Sequence, residues 1–251
     1  MKKKNGKGAA EADSTRGRGR LLIMIPAYNE SACIEQVVEE LIAHYPQYDY
    51  VVINDGSTDA TRKICARHGY NLLDLPVNVG LSGAIKAGMR YASRYGYDLA
   101  LQLDGDGQHD PRYIGDLMKR MEETGCDIVI GSRFVDGKKP RTMRMLGSNF
   151  LELSIFLTTG GKVVRDVTSG MRLFNKKMIK QFAYDIHYSP EPDTLAYLLN
   201  SGVKIEEVQV EMHERIGGRS YLDFKGSIWY MLKMTFSMFV FQWVRKKRPE
   251  V

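Results

Sequence analysis

The chain has 251 residues, 43% of them hydrophobic and 26% charged, which is an ordinary globular composition with enough apolar material for one sizeable core. Its formal net charge of +6 is not spread over the fold: Met1 to Arg20 carries seven Lys or Arg against two acids and Arg245 to Val251 four against one, so the tails hold +8 and the body −2. That excludes a nucleic-acid-binding core, whose footprint would be a cationic face on the fold itself, and the three scattered cysteines Cys33, Cys65 and Cys126 exclude a disulfide framework or a C-x-x-C zinc site and fit a reduced, cytoplasmic protein.

Residues 1–20, rich in Gly, Lys and Arg with no apolar run, read as a disordered basic tail and not as a secretory signal. From Leu21 short apolar runs alternate with amphipathic segments: "LLIMI" then a helix from Glu30 to about His44, "YVVIN" then Thr58 to His68, "YNLLDL" then Leu81 to Tyr95, "DLALQL" then Pro111 to Glu123, and finally "CDIVIGS". Strands alternating with helices predict a Rossmann-type α/β domain, a mostly parallel sheet with helices on both faces. Ser57 or Thr58 is the expected N-cap of the second helix, and Pro111 suits a first helical turn.

After Ser132 the periodicity weakens into a basic loop, "RFVDGKKPRTMRMLGSN", followed by a helix around Leu151 to Thr159, a strand pair through "VVRDVTSGMRLF", a helix from Glu191 to Asn200 and a strand at "KIEEVQVEM". No linker or internal repeat separates this half, so it reads as an extension of one domain over residues 21–222. Residues 223–251 form an apolar segment; Ile228 to Val244 is slightly short for a spanning helix, has little polar face and ends in Arg245-Lys-Lys-Arg248. The expectation is a helix lying on a membrane surface or against a small integral membrane partner, with packing on its own domain as the alternative.

The stretch "LQLDGDGQHDP" crowds three carboxylates and a carboxamide after a buried strand. A loop of turn formers is the plain reading. An EF-hand is excluded, because position 6 counted from Asp104 is His109 and position 12 is Gly115. A divalent-metal site at the carboxyl end of a strand is the third reading, and it gains from "IPAYNES", "NDGSTD" and "NVGLSGAIKAG" falling at the ends of the three preceding strands, where open α/β sheets hold nucleotides. Neither G-x-G-x-x-G nor G-x-x-x-x-G-K-[ST] is present, so neither a dinucleotide cofactor nor a P-loop triphosphate is indicated.

The strings "PAYNE", "DGSTD", "NVGLSGAIKAG", "DGDGQH", "GSRF", "DVTSGMRLF", "PEPD" and "ERIGGRS", in this order over about Leu21 to Ser220, resemble the family 2 glycosyltransferases, in particular the branch similar to dolichyl-phosphate mannose synthase and bacterial polyprenyl-phosphate glycosyltransferases. The resemblance implies a GT-A type nucleotide-sugar fold and an inverting, metal-dependent transfer from a UDP- or GDP-linked sugar to a polyprenyl phosphate, in assembly or modification of a cell-surface glycan. It implies that Pro26, Tyr28, Glu30 and Asp55 hold the nucleotide; that Asp104, Asp106 and Gln108 bind Mg²⁺ or Mn²⁺; that Arg133 and Arg144 reach the acceptor phosphate; and that Arg215 and Ser220 close over the diphosphate. Where many lipid-phosphate members carry Lys after that Ser, this chain has Tyr221, which shifts the expected phosphate contact to Arg219.

Lipid phosphate needs no strong base, since its second pKa is about 6 and the nucleophile is already ionised at neutral pH. A saccharide hydroxyl on a growing surface polysaccharide would need one, and Glu191 or Asp193 in "PEPD" is then the candidate, with a helix N-terminal acid as the plain alternative. A catalytically silent nucleotide-sugar-binding scaffold is the reading from another class. His109 follows the metal motif and reads equally as a diphosphate contact or a turn residue, whereas His68, His187 and His213 read as structural. The expected location is cytoplasmic, peripheral at the inner face of the cell membrane, with no nucleic-acid partner.

Overall fold

The computed structural model describes residues 19–137, 143–185, 191–213 and 234–238, with the side chains of 143–146 excepted. Seven strands form one sheet: β1 (Leu21–Ala27), β2 (Asp49–Asp55), β3 (Leu72–Leu75), β4 (Leu99–Gln102), β5 (Ile128–Ser132), β6 (Arg172–Asn175) and β7 (Ile205–Gln209). Their order is β3-β2-β1-β4-β6-β5-β7. All neighbours pair parallel except β6, which runs antiparallel to both β4 and β5. Between the strands lie α1 (Ile34–His44), α2 (Thr61–His68), α3 (Gly80–Arg94), α4 (Ile114–Thr124, preceded by a 3₁₀ turn at Pro111–Tyr113), α5 (Met143–Thr158), α6 (Lys176–Tyr184) and α7 (Pro192–Asn200).

Two apolar layers cover the sheet. Alternate side chains of β1, β4 and β6 go to opposite faces, as a strand's period of two requires. Leu22, Met24, Ala100 and Phe174 join α3, α5, α6 and α7 on one face, while Ile23, Ile25, Leu101 and Leu173 join α1 and α4 on the other. Strands buried on both faces are why the sequence shows continuous apolar runs in place of alternation. Helix α3 rides unusually close: a Cβ at Gly88 would lie 2.6 Å from Ile53 Cδ1 and 2.7 Å from Met24 Sδ, which explains the glycine of "GAIKAG".

Several local expectations change. The first helix starts at Ile34 and the second at Thr61, because the residues before them form turns tied to one another. Neither Ser57 nor Thr58 caps α2; Asp59 accepts from the Thr61 N–H instead, at 2.9 Å. Pro111 does occupy a first helical turn, with Asp110 accepting from the Arg112 N–H. The expected strand pair is the single strand β6, and the nine residues after it form α6, capped by Asn175 accepting from the Met178 N–H at 3.0 Å.

The C-terminal segment is described only at residues 234–238, which are helical; Met234 and Met238 are buried in the same cluster as α5 and α7. That turn packs on its own domain. Among the described residues no helix is long and apolar enough to cross a membrane.

Candidate active site

The loops after β1 and β2 are stitched into one ledge. Asn29 adopts a left-handed conformation (φ 57°), and its Oδ1 accepts from the N–H groups of Thr58 (2.9 Å) and Asp59 (3.2 Å), while its own N–H donates to Ser57 Oγ (3.0 Å). Glu30 N–H donates to Thr61 Oγ1 and Ser31 N–H to Asp59 Oδ2. Burial alone would raise the Asp59 carboxyl, but the bonds from Thr61 and Ser31 outweigh it and hold it below the usual carboxylate value. The polar residues Asn29, Ser57 and Asp59 are therefore consumed by the ledge itself. Pro26, Tyr28 and Glu30 sit on it half-buried.

Asp55, at the end of β2, is buried and accepts from Val79 N–H through Oδ1 at 2.8 Å. Gly56 (φ 64°) makes this approach possible: a Cβ there would come within 2.5 Å of the Val77 and Asn78 backbone.

The acidic loop leaves β4 beside this ledge, since a Cβ on Gly105 would lie 3.1 Å from the Pro26 carbonyl oxygen. Asp106 is buried and its Oδ1 accepts from the Gln108 N–H (3.0 Å). Asp104 is about a third exposed, with its side chain at 31%. Gln102, itself buried, donates through Nε2 to Asp104 Oδ1 at 3.3 Å, and His109 Nδ1 lies 3.3 Å from the Asp104 N–H and 3.6 Å from Oδ2. The far side of the Asp104 carboxylate is closed by Gly170, where a Cβ would sit only 2.7 Å from Cγ and Oδ1. Two residues after β7 clamp the loop from outside: Met212 forms a bridge with His109, His213 N–H donates to the Gln108 carbonyl at 2.9 Å, and His213 Nε2 lies 3.3 Å from Asp110 Oδ2.

Beyond the acids, Arg133 follows β5 and meets Asp166 with two parallel bonds, Nε to Oδ2 at 2.7 Å and Nη2 to Oδ1 at 2.8 Å; its backbone N–H donates to the same carboxylate. Asp166 is fully buried, and Arg133 is 30% exposed. Burial pushes the Asp166 carboxyl up, yet the hydrogen bonds and charge of Arg133 prevail and hold it below the usual value. Glu207 on β7 accepts from the Arg165 and Asp166 N–H groups, so the D-V-T-S-G turn is fixed from both sides.

Glu191 precedes α7 without a side-chain cap, and its Oε2 is buried with no hydrogen-bond partner among the described residues. Asp193, in the first turn of α7, has both oxygens engaged: Oδ1 accepts from Thr194 N–H (2.8 Å) and Oδ2 from Ser237 Oγ–H (2.7 Å).

The model of the family "Glycosyl transferase family 2" matches residues 22–183, which spans the ledge, the acidic loop, Arg133 and Asp166. The chain belongs to glycosyltransferase family 2. It is 28% identical over 223 residues to a polyprenol monophosphomannose synthase of Mycolicibacterium smegmatis, covering 83% of each chain. It is also 28% identical over 217 residues to an undecaprenyl-phosphate mannosyltransferase of Micrococcus luteus, covering 80% of this chain and 86% of that protein. Among solved structures, glucosyl-3-phosphoglycerate synthase of Mycobacterium tuberculosis, in complex with Mn²⁺ and UDP-glucose, superposes with a TM-score of 0.67 at 16% identity, over 96% of this chain and 84% of that one. The fold is thus the GT-A type of the nucleotide-sugar glycosyltransferases, and this protein is a glycosyltransferase.

Within this family 2 domain, Pro26 and Asp55 lie in the last residues of β1 and β2, and Tyr28, Glu30, Asp104, Asp106 and Gln108 in the loops at the carboxyl ends of β1 and β4. Arg133 lies at the end of β5, its Nε and Nη2 committed to Asp166. Arg144 falls in the first turn of α5, but its side chain lies outside the described residues, as do Arg215, Arg219, Ser220 and Tyr221 entirely. Sequence reasoning missed Asp166, Gly170 and Gln102. The D-V-T-S-G string was visible, but an acid's partner 33 residues upstream is a tertiary fact.

Proposed function

We propose that this glycosyltransferase moves a sugar, with inversion, from a UDP- or GDP-linked donor to a polyprenyl phosphate at the cytoplasmic face of the cell membrane. The observation that carries the reading is the alignment of Asp55, of Asp104 with Asp106, and of Arg133 along one end of the sheet, in a chain similar over four fifths of its length to two polyprenyl-phosphate mannosyltransferases.

The donor set of the acidic loop fits a hard divalent cation. Asp104, Asp106 and Gln108 offer two carboxylates and a carboxamide; among the described residues no group of three or more His, Cys, Asp or Glu side chains is placed to hold a metal, so the carboxamide and the donor's own phosphate oxygens would complete the set. Mg²⁺ or Mn²⁺ held there supplies neutralisation of the departing diphosphate's charge. The neighbours crystallised with Mn²⁺ and a nucleotide sugar, UDP-glucose in one and GDP-mannose in a mannosyltransferase from Pyrobaculum calidifontis, support that assignment. Asp55 takes the ribose or base, with Val79 N–H fixing one of its oxygens. Gln102, His109 and Gly170 aim the Asp104 carboxylate. Arg133, immobilised by Asp166, presents its remaining N–H groups to the acceptor phosphate, and positioning supplies most of the remaining rate because the nucleophile is already ionised. Arg144, Arg215 and Ser220 complete the phosphate contacts.

A saccharide-hydroxyl acceptor is the second reading, favoured by the buried, unpartnered Oε2 of Glu191; Asp193 serves α7 and the C-terminal turn. The test is incubation of the full chain with Mn²⁺, a panel of UDP- and GDP-sugars and polyprenyl phosphate, followed by lipid extraction. Sugar in the lipid fraction is expected. Transfer only to oligosaccharide supports the second reading, and neither transfer nor donor hydrolysis leaves a binding scaffold.

A further inference from the structure

Helix α5 is apolar on two sides. Leu151 and Ile155 are buried in the core, whereas Phe150 (48% exposed), Leu153 (51%), Phe156 (44%) and Leu157 (60%) face outward. At 3.6 residues per turn these four fall within an arc of about 120°. An exposed helix face normally carries polar side chains, and a helix apolar all round is normally covered. The exposed parts of these side chains amount to roughly 400 Å², at the size above which an apolar patch marks an interaction surface.

We propose that this outer face of α5 lies in the headgroup and acyl boundary of an anionic lipid bilayer. Charge argues for lipid. The ten residues from Gly137 to Leu146, which run into the first turn of the helix, contain Lys138, Lys139, Arg141 and Arg144 and no acid, in a body whose other residues sum to −6. A basic approach followed by a Phe- and Leu-bearing face is the chemistry of a membrane-surface helix. Area argues against a second copy of the chain, because a stable interface takes about 800 Å² from each partner, twice what the patch offers. The C-terminal turn at 234–238 is not the cover either, since Met234 and Met238 join the cluster that holds the inner face of α5. Position is consistent with use: α5 is reached from the end of β5, where Arg133 sits, so a bilayer on this face brings lipid phosphate to the arginine end of the site. The surface itself is independent of the acceptor assignment, and only this last consequence rests on it.

The experiment uses the full chain and sedimentation with vesicles of phosphatidylcholine alone or mixed with phosphatidylglycerol. Binding to the anionic vesicles is expected, with at least a tenfold loss in F150S/L157S. Transfer to bilayer-embedded polyprenyl phosphate should fall equally, while transfer to a short, water-soluble isoprenyl phosphate stays within twofold. In case the double variant misfolds, Leu153→Cys carrying an environment-sensitive fluorophore gives a second readout, the three native cysteines being buried. Its emission should shift to the blue only when anionic vesicles are added. Unchanged vesicle binding by F150S/L157S, no binding by the native chain, or a label already blue-shifted without lipid, which would mean that a segment of the chain or a second copy covers the face, would each overturn the proposal. A chain that binds vesicles through α5 yet glycosylates no lipid phosphate would sink the acceptor assignment and leave the membrane surface standing.

Discussion

Replacing Gly170 by alanine should disable transfer without unfolding the protein. Gly170 is not among the glycines with positive φ, so alanine fits its backbone. The new methyl carbon, however, would lie 2.7 Å from both Cγ and Oδ1 of Asp104, and closer still to Oδ2. The optimum for such contacts is about 3.5 Å or more, so the carboxylate has to retreat by about 1 Å. It is held on its other sides by Gln102 Nε2 and by His109, and cannot retreat without breaking those contacts. A displacement of that size at a reacting centre costs about a hundredfold in rate, or about 2.7 kcal/mol of barrier. The assay is the initial rate of sugar transfer with a Mn²⁺ titration, beside thermal unfolding. Gly115→Ala is the control, since a Cβ there meets nothing within 4 Å. A Gly170→Ala protein that transfers within twofold of the native rate at the native Mn²⁺ requirement would refute the claim that Gly170 sets the place of the Asp104 carboxylate.

Asp106→Asn keeps an acceptor for the Gln108 N–H but removes the charge, and should lower transfer by about a thousandfold with an unchanged melting temperature; near-normal turnover in excess Mn²⁺ would discard the metal assignment. Asp166→Asn strips the half-buried Arg133 of its counter-ion and should cost about 2 kcal/mol in urea unfolding, together with use of the acceptor more than of the donor. The same pair fixes a pH dependence. Because Arg133 depresses the Asp166 carboxyl in the folded chain, its stabilisation is complete above the unfolded value of about 3.9 and is lost as the pH falls through the lower folded value. Melting temperatures measured from pH 7 to pH 2 should therefore show a shallower acid limb in Asp166→Asn than in the native protein. Cys65 is buried, with its thiol pushed up to about 11, so alkylation at neutral pH should require unfolding.

What the sequence showed and hid has a common physical reason. Runs such as "LLIMI" and "YVVIN" are buried on both faces, and "DGSTD" and "DGDGQH" sit at strand ends because the chain turns there; both are local patterns. The orientation of β6 is not local. Its four residues, Arg172 to Asn175, carry no mark of direction, and only pairing with β4 and β5, 72 and 42 residues away by the Leu101↔Leu173 and Ile130↔Arg172 registers, decides it. Helix α6 does carry a local signal, Asn175 as cap and then apolar Met178, Ile179, Phe182 and Ala183 in helical spacing, but it follows β6 with no turn between them to mark where strand becomes helix. The Asn29 staple was equally invisible, since "NES" reads as a turn whether or not a second turn 29 residues on completes it.

The direction of β6 also governs what the sheet can present at its working edge. A strand parallel to its neighbours enters at their amino ends, and its leading loop would emerge on the side away from Asp104. Reversed, β6 enters from the carboxyl side, and the turn before it, Asp166 to Gly170, arrives between β4 and β5 as a plug. One inverted strand thus delivers two parts to a place that only outgoing loops otherwise reach: the anion that anchors Arg133 and the flat glycine wall behind Asp104. Flipping the strand would leave the acids and the arginine where they are and take away the backing that tells each of them where to point.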